Sequence, residues 1–302
     1  MDYYQAISAE HRGLIIVAID QSGSMLAPFK NVSMITTKSE IASMVASGII
    51  DEFVIRSQQQ FRLSDPCPYC DIAVIGYSRN RVESLIHDST YVLPITALDP
   101  KKRPMRHRVI EYVTHDQHLN LVHESWREWV VPKAEGITPM RDMLLLVLTL
   151  VTEWCYNKAN QNSFPPIIFN ITDGLDDYEF TGAHEKLCNA IKQTGTNCGN
   201  TLIFNSLIDS CPNSERLQFP NKKDIPDSHP ISLLASMSSE LPPIFYPLGK
   251  RYSKSNRPPY TGVCYNATIL QVINLLNIDI HSRSRHGSYR SLLRYSHPFD
   301  DR

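Results

Sequence analysis

The 302 residues show no excess charge of either sign, with 30 Lys and Arg set against 31 Asp and Glu. This removes any global electrostatic case for nucleic acid or an anionic membrane. Long apolar runs are missing too. The longest strongly apolar stretch, residues 143–151, falls well short of the ~20 residues that a bilayer-spanning helix requires. The opening MDYYQAISAEHRG has neither a basic n-region nor an apolar h-region, so no secretory signal is expected. Cysteines number seven, an odd count at irregular spacing that suggests no disulfide framework. Neither GxxxxGK[ST] nor GxGxxG occurs, so an α/β sheet here lacks the usual phosphate loop. No GxSxG elbow, internal repeat or low-complexity domain stands out. These absences lead to the expectation of a soluble, cytoplasmic protein that binds no nucleic acid and no membrane.

Hydrophobic residues make up 42% of the chain, enough for a sizeable core. The most informative stretch is residues 14–24, LIIVAIDQSGS. Six apolar residues run straight into Asp20, and Ser22 and Ser24 follow at alternate positions. A short β-branched run suits a strand buried on both faces of a parallel sheet. Polar residues directly after it belong at the strand's carboxyl end, where open α/β sheets place their ligand sites. One carboxylate and two hydroxyls are hard oxygen donors, the kind that Mg²⁺ or Mn²⁺ prefers.

Further along, residues 27–37 read as a loop, and residues 38–55 carry one apolar helical face, with Thr37 or Ser39 as N-cap. Residues 71–77 are a second strand, and 82–86 with 91–95 form an edge strand or hairpin. Residues 97–133 are polar and largely aperiodic, an insertion whose end, with Trp126 and Trp129, returns to the domain. A helix over 140–157 follows Gly136-Ile137-Thr138-Pro139, with Thr138 as N-cap and proline at the first helical position. Strands are expected at 167–172, 201–208 and 262–265, and helices at 181–194, 230–238 and 266–278. Residues 241–259 read as a loop, and the basic tail 281–302 as disordered or a docking arm. The alternation predicts an α/β, Rossmann-like doubly wound, mostly parallel sheet with helices on both faces, in one domain over 1–280.

Three separated pieces can then meet at one sheet edge: Asp20, Ser22 and Ser24; Thr138; and Asp173, which ends the run FNITDG. Together they resemble the metal-ion-dependent adhesion site of von Willebrand factor type A (vWA) domains, DxSxS…T…D. The resemblance covers about residues 10–280. More narrowly, FPPIIFNITDG, LASMSSELP and GVCYNATILQVINLLNID look like segments of an intracellular bacterial vWA group. Some of its members accompany kinase- and phosphatase-type partners in stress or phage-defence gene clusters. The resemblance implies that Ser22, Ser24 and Thr138 coordinate Mg²⁺ (or Mn²⁺) through hydroxyls. Asp20 and Asp173 would act mostly through bound waters. Such an ion stays under-neutralised and attracts an Asp or Glu carboxylate of a protein partner.

Other groups admit other readings. Cys67-Pro68-Tyr69-Cys70 is compatible with a zinc knuckle, a redox pair or two ordinary thiols. Asp176, Asp177 and Glu179 are read as an acidic rim or first helical turn. His107, His115, His118 and His123 are too irregularly spaced for a metal site. Asn170-Ile171-Thr172 matches a glycosylation acceptor but lies inside a strand pattern. The leading function is a metal-dependent protein-binding adaptor, not an enzyme. The alternative is a metal-dependent hydrolase of phosphate-containing substrates, with Asp173 or Asp177 as base.

Overall fold

In the computed structural model, β1 (Gly13–Asp20) is buried along its whole length. Its side chains alternate between two cores: Ile15, Val17 and Ile19 enter one, Leu14, Ile16 and Ala18 the other. The residues described are 3, 5–31, 34–59, 68–79, 81–113, 119–174, 182–209, 217–225, 231–255 and 257–266. A hairpin of β2 (Pro28–Asn31) and β3 (Met34–Thr37) follows β1, where a loop was expected. It feeds α1 (Lys38–Gln59). Thr37 caps that helix as anticipated, and the cap is reciprocal. The Glu40 N–H donates to Thr37 Oγ1 (3.2 Å) and the Thr37 N–H donates to Glu40 Oε2 (2.7 Å), a capping box.

The central strands fall where their apolar runs placed them. β4 (Cys70–Ser78) pairs parallel to β1, with β5 (Arg81–Ser84) and β6 (Leu93–Pro94) antiparallel to β4. The insertion contains a long antiparallel hairpin, β7 (Met105–Val113) with β8 (Leu119–Arg127). Its return is anchored by Trp129, whose backbone N–H donates to Ser47 Oγ (3.1 Å) and whose indole N–H donates to Asp51 Oδ1 (2.9 Å) on α1. Next come α2 (Met140–Tyr156), β9 (Ile167–Thr172), α3 (Ala183–Gln193) and the short pair β10 (Gly195–Thr196) and β11 (Gly199–Asn200). The chain continues through β12 (Leu202–Leu207), β13 (Leu217–Gln218), α4 (Ser232–Met237), α5 (Tyr246–Tyr252) and β14 (Val263–Tyr265). Helix α5 replaces the loop expected there, its proline sitting in the first turn, where no N–H is needed. The expected closing helix from 267 onward and the basic tail lie outside the described residues.

The main sheet runs β13-β14-β12-β9-β1-β4-β5. Strands β14, β12, β9, β1 and β4 are mutually parallel, and antiparallel strands close both edges. Read from β5 to β14, this is the doubly wound order, with the reversal at the β1–β9 pair. Helix α1 packs on one face, and α2, α3 and α4 on the other. The carboxyl ends of β1 and β9 therefore flank the crevice where such sheets hold ligands.

Candidate metal centre

Strand β1 ends at Asp20, and both of its carboxylate oxygens are engaged. The Ser22 N–H donates to Oδ1 (2.9 Å) and the Thr172 hydroxyl, at the end of β9, donates to Oδ2 (2.7 Å). The Ser22 and Ser24 hydroxyls are 3.0 Å apart, and Ser24 Oγ donates to Asp173 Oδ1 (2.8 Å). Asp20, Ser22, Ser24 and Asp173 are thus linked across the β1–β9 edge, deep at Asp20 and open to solvent at Ser24.

Thr138 reaches the same edge through the backbone. The Gly23 N–H donates to the Gly136 carbonyl (2.7 Å), and the Glu135 N–H donates to the Gln21 carbonyl (2.8 Å). Gly136 has φ +70°, and a Cβ there would run into Arg79, so the approach needs glycine. The expected N-cap role of Thr138 is not what the structure shows. Pro139 occupies the cap position, no side chain caps the helix, and the Met140 N–H bonds the Thr138 carbonyl instead. Thr138 as a residue is buried, with 4% of its surface exposed. It makes no side-chain bond to the other four groups.

Burial pushes the Asp20 carboxyl up to about 6, a rise opposed by the Ser22 and Thr172 hydrogen bonds and assisted by the nearby charge of Asp173. Asp173 has a neighbour that sequence reading missed. Lys38 Nζ lies 2.9 Å from Asp173 Oδ2, with both side chains largely buried. The two residues are 135 positions apart, so no local pattern announces the pair.

An octahedral Mg²⁺ with bonds near 2.1 Å sets neighbouring donors about 3 Å apart. The Ser22–Ser24 separation of 3.0 Å matches that edge length. Among the described residues no cluster of three or more His, Cys, Asp or Glu side chains is placed to hold an ion. The donor set at this edge is therefore one of hydroxyls with two carboxylates behind them, suited to a hard cation. Cys70 is fully buried at the start of β4 and burial holds its thiol well above the ordinary range, so it is not a reactive thiolate. Cys67 and the acidic residues 176, 177 and 179 lie outside the described residues, as do His115 and His118. Asn170 is buried in β9, which leaves no room for a glycan.

Behind the edge runs a buried polar chain that the sequence did not reveal. The Tyr77 hydroxyl donates to Asn170 Oδ1 (2.9 Å), and Asn170 Nδ2 donates to Asn205 Oδ1 (2.9 Å). Asn205 Nδ2 in turn donates to Ser238 Oγ (2.8 Å), which bonds the Leu234 carbonyl (2.7 Å). It crosses from β4 to the end of α4. In register, Asn170 lies opposite Ala18 of β1 and Tyr77 opposite Asp20, so the tyrosine reaches Asn170 diagonally across β1.

No family model matches the chain, and no curated protein matches it. Among solved structures it is similar to von Willebrand factor type A from Catenulispora acidiphila, at 15% identity and TM-score 0.38, over 65% of this chain and 33% of that one. It is also similar to an aerotolerance-related membrane protein from Bacteroides fragilis NCTC 9343 with multiple mutations to serines, at 10% identity and TM-score 0.29, over 65% of this chain and 67% of that one. The chain spans about a third of the length of the first. The chain itself has an α/β fold, a mostly parallel central sheet in doubly wound order with helices on both faces. Among the described residues no helix is long and apolar enough to cross a membrane.

Proposed function

We propose that the chain is a protein-binding adaptor whose β1–β9 edge holds Mg²⁺ or Mn²⁺ and uses it to capture an acidic side chain of a partner. The supporting observation is the donor set, two hydroxyls at octahedral spacing with Asp20 and Asp173 pinned behind them. Ser22, Ser24 and Thr138 are the direct ligands in this reading, and Asp20 and Asp173 orient bound water. A divalent ion held mainly by neutral oxygens supplies an electrophilic position for an external carboxylate. The partner is therefore a protein with an exposed Asp or Glu, and a kinase- or phosphatase-type protein of a bacterial stress or phage-defence system is the expected class.

The buried Cys70, Cys155, Cys188, Cys198 and Cys264, none of them in a disulfide among the described residues, support a reducing, cytoplasmic setting. A binding role is favoured over hydrolysis because Asp173 is poorly placed as a base. One of its oxygens accepts from Ser24 and the other is paired with Lys38.

Affinity purification with the full chain as bait is the test. A specific partner is expected to be recovered in Mg²⁺, and to be lost both in EDTA and with Asp20→Ala. Equal recovery under all three conditions from folded baits contradicts the proposal.

A further inference from the structure

We infer that Lys38 is the site's own counter-cation, a built-in competitor that keeps ion binding weak in the free protein and ties ion capture to an acidic partner. The inference rests on the metal-site reading above and concerns how that same site is regulated.

Lys38 is the first residue of α1, and its backbone is fixed by the capping box between Thr37 and Glu40 and by its own N–H bond to the Ala27 carbonyl (3.1 Å). From there Nζ meets Asp173 Oδ2 at 2.9 Å, with only 10% and 5% of the two side chains exposed. A buried ion pair of this kind is held firmly, because losing either partner strands the other charge. Asp173 is thus already neutralised before any ion arrives, and its second oxygen is committed to Ser24. The amino end of α1 adds further positive potential on the same side.

The charges that the hydrogen bonds of Ser22, Ser24 and Asp173 bring together are the carboxylates of Asp20 and Asp173 and the ammonium of Lys38, while Arg79 and Glu135 nearby pair with each other. Their sum is −1 with Asp20 ionised. A divalent ion takes the edge to +1, whereas without the lysine it would reach zero. Lysine therefore opposes the ion alone, and one external carboxylate restores neutrality. Ion and partner carboxylate then raise each other's affinity by the same factor. A lysine suits this role, since its compact charge sits on a flexible stem that can swing aside.

The experiment titrates the full chain with Mn²⁺ alone, following free Mn²⁺ by electron paramagnetic resonance. Lys38→Met and Lys38→Gln are expected to bind Mn²⁺ about tenfold or more tightly than the unaltered chain. Lys38→Arg, which keeps the charge, should stay close to the unaltered protein. Equal or weaker binding by both neutral variants overturns the inference and makes the pair purely structural. Absence of binding in every protein overturns the metal-site reading itself, so the two failures are distinct. Should the neutral variants not fold, the ¹⁵N resonance of Lys38 in the unaltered chain gives a second readout. It is expected to lose its exchange protection on Mg²⁺ saturation, and an unchanged signal with bound Mg²⁺ overturns the inference.

Discussion

Replacing Asp20 with asparagine is expected to raise the melting temperature of the metal-free protein while removing its response to Mg²⁺. The Asp20 carboxyl, normally near 3.8, is held at about 6 chiefly by burial. At neutral pH the folded, metal-free protein must therefore keep a charge in a dehydrated place, at a cost of ~3 kcal/mol. Asparagine removes that charge without leaving a gap. Its oxygen can accept from the Ser22 N–H as the carboxylate does, and its amide can donate to the Thr172 hydroxyl, whose proton then turns from residue 20 to the Gly174 carbonyl 2.9 Å away. A gain of a few degrees follows for a domain of this size.

The pH dependence has a definite sign. Between about pH 4 and 6 the folded state takes up a proton that the unfolded state does not, so the penalty shrinks as pH falls through 6. In EDTA, the advantage of Asp20→Asn should be largest at pH 7.5 and largely gone by pH 4.5. A variant that melts lower than the unaltered chain at pH 7.5 contradicts this account of Asp20. So does an advantage independent of pH.

The second large effect is expected at Asn170. Substitution by leucine, close to it in size, removes the middle of the buried chain from Tyr77 to Ser238. The Tyr77 hydroxyl then loses its acceptor, and the Asn205 amide oxygen loses its donor. Each buried group left unpaired costs about 1–3 kcal/mol, so a loss of roughly 3–5 kcal/mol is expected in urea denaturation. Tyr77→Phe, which leaves the Asn170 oxygen short of one bond but keeps the Asn170–Asn205 link, should cost clearly less. Equal effects from the two substitutions would mean that the chain does not act as a connected unit.

The two variants also mark what could and could not be seen in the sequence. Strands β1, β4, β9 and β12 were legible because a strand covered on both faces is written as an unbroken apolar run. Helix α2 was legible from its apolar periodicity, and Asp20, Ser22, Ser24 and Asp173 because each follows such a run. The hairpin of β7 and β8 was not, since charged and aromatic residues interrupt any simple alternation and the pairing is set by the partner strand. Thr138 was placed at the right edge for a partly wrong reason: it lies there through the Gly23–Gly136 backbone bond, one residue before the true cap. Lys38 and Asn170 were illegible for a common cause. Their partners lie on elements remote in sequence, and a lysine opening a helix or an asparagine in a strand carries no local sign of what it will face.

The central claim is that Asp20, Ser22, Ser24, Thr138 and Asp173 together hold a divalent cation. Isothermal titration calorimetry of the full chain with Mg²⁺, set beside Ser22→Ala and Asp20→Asn, tests it most directly. Saturable one-site binding by the unaltered chain, lost in both variants while their circular dichroism is unchanged, is the predicted result. No Mg²⁺ or Mn²⁺ binding at millimolar concentration, or the same isotherm in all three proteins, would contradict it.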